Sequence, residues 1–232
     1  IVRETDFRVL QGFQLFRTLA EPDLLAIARR VEILECPSQL VLAREGEMPK
    51  FLYILTEGLF ELVSGHGGRQ TIISFIRPPT AFILAAVVMR QPYLVTARSL
   101  VPSRVFAFPL DVFHDSLVAH PAIALGTCRE LATRYRDMVK ELKGVKIRNA
   151  SQRLANWILT ESDVLDQSAF DLTIQKAVLA SRLGMTNAHL SRGFATLKQH
   201  GVALRGRRIN IQNRDALKAF AHPDPLIDDI LS

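Results

Sequence analysis

The sequence predicts an α+β chain in three consecutive parts: a β-roll of the jelly-roll kind over residues 1–120, a long helix and hinge over 121–148, and a small module of helices and a hairpin over 149–232. Three observations predict it. Short strands separated by turns fill Val31 to Phe108. One heptad pattern runs from Cys128 to Val145. Between Leu172 and Arg214 there are eight Lys or Arg residues and no Asp or Glu.

The chain of 232 residues is globular in composition: 48% of its residues are hydrophobic and 22% charged. Its net charge of +6, concentrated near the C-terminus, makes nucleic acid the acidic partner to expect. No apolar run approaches the roughly 20 residues that span a bilayer. The N-terminus, Ile1-Val2-Arg3-Glu4-Thr5-Asp6, does not read as a signal peptide, and its lack of an initiator Met reads as a trimmed end. Cys36 and Cys128 belong to no ligand pattern, which excludes a four-cysteine iron–sulfur or zinc site within one chain. Buried thiols in a reducing cytoplasm fit them.

The elements follow in order. Leu10, Phe13, Leu15, Phe16 and Leu19 mark short helices, and Glu21-Pro22-Asp23 opens another. The strands include Leu40-Val41-Leu42, Phe51 to Leu55, Leu59 to Val63, Thr71 to Ile76 and Arg104 to Phe108. Ser64-Gly65-His66-Gly67-Gly68 is a hairpin loop. A helix then runs from about Pro121 to Lys143. Its apolar positions Cys128, Leu131, Tyr135, Met138, Leu142 and Val145 are spaced 3, 4, 3, 4, 3, a seam suited to a second copy of the chain. Gly144 and Asn149-Ala150-Ser151 are expected to break and restart the helix, with Asn149 or Ser151 as cap.

The basic module has its own pattern. Val178, Leu179 and Leu183 form a helical stripe, Gly184 allows a reversal with positive φ, and Thr186 can cap a second helix. That helix buries Leu190, Phe194 and Leu197; the opposite face is Ala188, Ser191, Arg192 and Ala195. A face of small residues with one serine and one arginine can approach the DNA major groove closely. Val202-Ala203-Leu204 and Ile209-Asn210-Ile211 then form a hairpin tipped by Arg205, Arg207 and Arg208, which repel one another unless phosphate neutralises them. The reading is a winged helix-turn-helix.

The order of roll, long helix, hinge and winged helix-turn-helix resembles the cyclic AMP receptor / fumarate-nitrate reduction regulator (Crp/Fnr) superfamily across nearly the whole chain. Its most specific pieces are Asn149-Ala150-Ser151-Gln152-Arg153-Leu154-Ala155 and Leu183-Gly184-Met185-Thr186-Asn187-Ala188-His189-Leu190-Ser191-Arg192; Tyr53 to Gly58 looks like the roll's glycine-ended strand. The resemblance implies a cyclic-nucleotide-binding-domain-like roll that senses a signal. It also implies a homodimer on a pseudo-palindromic double-stranded operator, RNA polymerase as a partner, and no membrane. Ser191-Arg192 matches the pair by which the fumarate-nitrate branch reads bases, so the base contacts would be Asn187, Ala188, Ser191 and Arg192. That branch usually has glutamate where this chain has Ala188. Thr186, Lys198, Arg205, Arg207 and Arg208 would hold phosphates.

The effector site departs from the family pattern. Cyclic-nucleotide binders carry a Gly-Glu pair and an Arg-Ser pair; here those positions read Leu84-Ala85 and Tyr93-Leu94. With Phe82 these residues would line an apolar pocket, in which a phosphate lacking a cation is strongly disfavoured. Cyclic AMP is therefore not expected unless Arg90 or Arg98 supplies the charge. The roll's own side chains, haem, or another small apolar molecule could fill the space. For haem the candidate ligands are His66, His114 and His120, none of them decisive. No nucleophile elbow, phosphate loop or paired metal-ligand helix points to an enzyme. A ligand-binding module that regulates a protein partner is the alternative, and it leaves the basic stretch unexplained.

Overall fold

A computed structural model of the chain describes residues 4–66 and 69–228. It forms two compact units, divided between Arg134 and Tyr135 inside one long helix.

The first unit opens with α1 (Glu4–Gly12) and α2 (Glu21–Ala28), followed by β1 (Glu32–Cys36), β2 (Val41–Ala43), β3 (Phe51–Glu57), β4 (Phe60–His66), β5 (Arg69–Ile76) and β6 (Thr80–Phe82). After a short helix, α3 (Leu84–Met89), come β7 (Thr96–Ser99), β8 (Ser103–Pro109), α4 (Leu110–Ala119) and the start of α5 (Pro121–Ile147). Two antiparallel sheets, in the orders β1-β8-β3-β6 and β2-β7-β4-β5, make the expected roll. The period of two along β3 builds two cores from one strand. Leu52 and Ile54 pack with Phe16, Leu24, Phe106, Phe108 and Ile123 under the helices. Tyr53 and Leu55 pack inward with Phe60, Phe82, Tyr93, Ala97 and Val105.

The second unit holds the end of α5, then α6 (Ala150–Leu165), β9 (Ala169–Asp171), α7 (Lys176–Arg182) and α8 (Asn187–Leu197). A 3-10 turn at Lys198–His200 leads to β10 (Val202–Arg205), β11 (Arg208–Ile211), α9 (Arg214–Ala221) and α10 (Pro225–Asp228). Leu154, Ile158, Leu179, Leu190, Phe194, Leu197, Ile209 and Leu217 share one core. The hairpin gains a third strand, in the order β10-β11-β9, that sequence reasoning did not anticipate. Three residues are too few to show a period.

The expected break at Gly144 does not occur; α5 runs through it to Ile147. A single glycine costs a helix only about 1 kcal/mol relative to alanine, too little to end one of 27 residues. What ends it is the next helix's cap. Asn149 turns to φ −72°, ψ 167°. Its side chain accepts the Gln152 N–H at 2.9 Å, and its own N–H donates to the Gln152 side chain at 3.1 Å. Of the two caps anticipated, Asn149 is the one used, in a reciprocal capping box.

Candidate nucleic-acid interface

The two helices of the basic module meet as the apolar pattern requires. α7 ends at Arg182 with Leu183 as its C-cap, and Gly184 takes φ +60°, the left-handed conformation that lets the chain reverse. The Thr186 hydroxyl accepts the His189 N–H at 3.2 Å and also lies 3.1 Å from His189 Nδ1. α8 buries Leu190, Phe194 and Leu197. It also buries Gly193 beside α6, where an added Cβ would lie 3.1 Å from Leu154 Cδ2. Asn187, Ala188, Ser191, Arg192 and Ala195 are all exposed. Among the described residues, no ion pair engages Arg192 or Lys198.

The wing is less uniformly basic than its sequence suggests. Arg205 and Arg208 face each other across the hairpin, with Gly206 at φ +61° in the turn. Arg208 Nη1 lies 3.0 Å from Asp171 Oδ2 on β9. Arg207 donates from Nε to the Leu172 carbonyl at 2.9 Å and from Nη2 to the same oxygen. The expected mutual repulsion of three arginines is thus relieved in part by the protein itself. Arg205 is exposed and has no ion pair among the described residues. The acid-free stretch hid this because Asp171 lies one residue outside it.

The motif from Asn149 to Ala155 places one more cation behind the interface. Arg153 Nε donates to the Leu183 carbonyl at 2.8 Å, and Nη2 to the Gly184 carbonyl at 3.2 Å. Nη1 donates to the Arg148 carbonyl at 2.8 Å. Burial lowers its pKa from the ordinary value, yet a guanidinium keeps its proton in a protein. On the other side Arg148, itself buried, forms a fork to Asp228, with Nη1 to Oδ1 at 2.7 Å and Nη2 to Oδ2 at 2.6 Å. Sequence reasoning quoted this motif but assigned Arg153 no task; only the fold reveals its carbonyl partners.

On α5, Cys128, Tyr135, Met138, Leu142 and Val145 are exposed as a seam would be. Leu131 departs from the expected seam. It is half-buried against the core of its own unit. Gly126 and Thr127 on the same side are buried too. The helix therefore carries an own-chain face that the heptad reading missed. Leu125 and Val139 are further exposed apolar residues on it.

The five residues expected to line an effector pocket do not come together. Phe82 and Tyr93 belong to the roll interior, whereas Leu84 points into the other core, beneath the helices. Ala85 and Leu94 are exposed, Leu94 to 84%. The helical turn at Leu84–Met89 separates Leu84 from Ala85, because it sends neighbouring side chains to different sides. Rings occupy the interior: Phe82 stacks on Tyr53 at 5.7 Å and tilts against Phe60 at 5.4 Å between centroids. Arg90 lies 3.4 Å from Asp111, and Arg98 is paired with the buried Glu61.

Of the three histidines, His114 holds its Nε2 2.9 Å from the Val87 carbonyl, and His120 Nδ1 lies 3.7 Å from Asp23. His66 ends β4, and its side chain lies outside the described residues. Among the described residues, no three His, Cys, Asp or Glu side chains are grouped as metal ligands, and no helix is long and apolar enough to cross a membrane.

A β-roll, a long helix and a winged helix-turn-helix define a transcriptional regulator as the class of protein. The relatives agree. A cyclic nucleotide-binding domain matches residues 34–120, and a Crp-like helix-turn-helix domain matches residues 152–220. The HTH-type transcriptional regulator Cmr of Mycobacterium tuberculosis is 23% identical over 207 residues, covering 82% of each chain. FixK2 from Bradyrhizobium japonicum has a similar fold, with a TM-score of 0.66 at 17% identity over 84% of this chain and 98% of that one. DNR from Pseudomonas aeruginosa gives 0.52 at 24% identity over 94% and 98%. The chain thus carries a cyclic nucleotide-binding domain followed by a Crp-like helix-turn-helix domain, and its relatives are Crp/Fnr family regulators.

Proposed function

We propose that the chain is a homodimeric, sequence-specific DNA-binding regulator, not an enzyme, nearer the fumarate-nitrate branch of its family. Two copies of α8 would enter the major groove at half-sites about one helical turn apart. The observation that carries this is the exposed face of α8, where Ser191 and Arg192 stand among Ala188 and Ala195 with no large side chain to obstruct them. Arg192 would donate to O6 and N7 of a guanine. RNA polymerase and a cytoplasmic setting are what the family would supply.

The proposal extends to the roll: cyclic AMP is not the signal. A cyclic phosphate needs a cation and donors in a buried site. Leu84, Ala85, Tyr93 and Leu94 supply no cation, and both nearby arginines already face carboxylates, Arg90 facing Asp111 and Arg98 facing Glu61. Haem fits no better at His114, which would have to give up the Val87 carbonyl, or at His120 beside Asp23. We propose instead that the roll is filled by its own side chains, which the Tyr53, Phe60 and Phe82 contacts support.

The test is selection of duplexes from a random library by the purified protein, followed by binding of the Arg192→Ala variant. Enrichment of an inverted repeat, lost in that variant, is the expected result. Enrichment that survives the substitution would overturn the assignment of α8. Absorption spectra with haem supplied, and calorimetry with cyclic AMP, test the roll; a stoichiometric Soret band or a binding isotherm would refute a filled interior.

A further inference from the structure

The second unit contains a junction that DNA contact alone does not require. Three backbone carbonyls from separate places converge on the Arg153 guanidinium. Arg148 O lies at the C-terminal end of α5; Leu183 O and Gly184 O lie at the end of α7 and in the turn that leads to α8. The last carbonyls of a helix have no partner within it, and they carry the negative end of the helix dipole. A cation with a planar fork of donors satisfies two such ends at once, a geometry that lysine cannot reproduce. The Arg148 side chain is in turn held by Asp228, whose Oδ2 also accepts the Asp224 N–H at 2.8 Å. Lys143 of α5 lies 3.6 Å from Asp224.

We propose that Arg153 is a positioning residue for DNA recognition: it fixes the α7–α8 turn to the end of α5, and so sets the orientation in which α8 is presented. The inference rests on the DNA-binding reading above. Arg153 itself touches no base. Its effect is on specific binding, which needs both recognition helices in register. Non-specific binding to phosphates tolerates other orientations.

The experiment compares wild type, Arg153→Ala, Arg153→Lys and Arg192→Ala in the full chain. Each is titrated with the duplex that the wild type selects from a random library and with an unrelated duplex. Native-state hydrogen exchange is followed in parallel. Arg153→Ala is expected to weaken the selected duplex about tenfold or more while the unrelated one changes by less than about twofold. Faster exchange is expected around Leu183, Met185 and Asn149, with the wing strands unaltered. Arg153→Lys restores part of the loss. Arg192→Ala loses the selected duplex without any change in exchange. The inference is overturned if Arg153→Ala binds like wild type. It is equally overturned if that variant weakens both duplexes alike and speeds exchange throughout the unit, which is loss of stability. A wild type that selects no duplex would refute the DNA-binding reading instead.

Discussion

Arg208 and Asp171 face each other on paired strands, 3.0 Å apart, so the wing supplies a carboxylate of its own to one of its arginines. The pair is well exposed and worth little to stability. Its consequence is for DNA. A phosphate must compete with Asp171 for Arg208 and with the Leu172 carbonyl for Arg207, but meets no such rival at Arg205 among the described residues.

The first prediction follows from that ranking. Arg205→Ala should lower the slope of log affinity against log salt by about one, and Arg208→Ala by less. Asp171→Asn should strengthen binding to any duplex. Titrations at several salt concentrations measure all three; equal slopes for the two arginine variants would remove the ranking.

Specific recognition gives the second. Arg192 lies on the face of α8 opposite Leu190 and Phe194, so Arg192→Ala leaves the core intact. Denaturant midpoints should be unchanged, while the selected operator loses about 1–3 kcal/mol per half-site. A shifted midpoint would place Arg192 in the structure of the unit.

The third concerns pairing of copies. In a parallel, in-register pair, seam residues face their own counterparts, close to the 4.4–6.8 Å Cα separation that disulfides take, as an order of magnitude. Cys128 is exposed, while Cys36 is buried and burial pushes its thiol pKa up. Mild oxidation should therefore cross-link the protein through Cys128, and Cys128→Ser should abolish the dimer band on a non-reducing gel. A cross-link that persists in Cys128→Ser would contradict the seam.

A fourth tests the own-chain face of α5. A Cβ on Gly126 would lie 2.9 Å from both Leu15 Cα and Gln14 O, which are backbone atoms and cannot swing aside. Gly126→Ala should destabilise the first unit by about 1–3 kcal/mol through overpacking, despite alanine's better helix propensity. Gly144→Ala meets nothing within 4 Å and should stabilise the helix instead. Thermal or denaturant unfolding of both variants checks the opposite signs.

Much of the interface could be read directly from the chain, because it depends on local periods. Helix periodicity alone assigns Leu190, Phe194 and Leu197 inward and Ser191 and Arg192 outward, and an oxygen-bearing residue at the start of α8 marks its cap. The roll's strands were legible from alternation and turn residues. The pocket was not. The resemblance puts Leu84, Ala85, Tyr93 and Leu94 in one place; the turn of α3 separates Leu84 from Ala85, and beyond α3 Tyr93 packs inward while Leu94 is exposed.

By itself, then, the sequence determined the α+β class, the winged helix-turn-helix, the exposed face of α8 and the long helix with its apolar seam, because each rests on a pattern within one segment. Only the tertiary structure decided which charges remain available and which face of α5 is already covered. Arg208 is joined to Asp171 37 positions away, Arg98 to Glu61 across the same interval, and Arg153 to carbonyls up to 31 positions on. Such partners share no period with the residues they meet. The closing of the fold brings them together, and nothing in the local pattern of either residue records it.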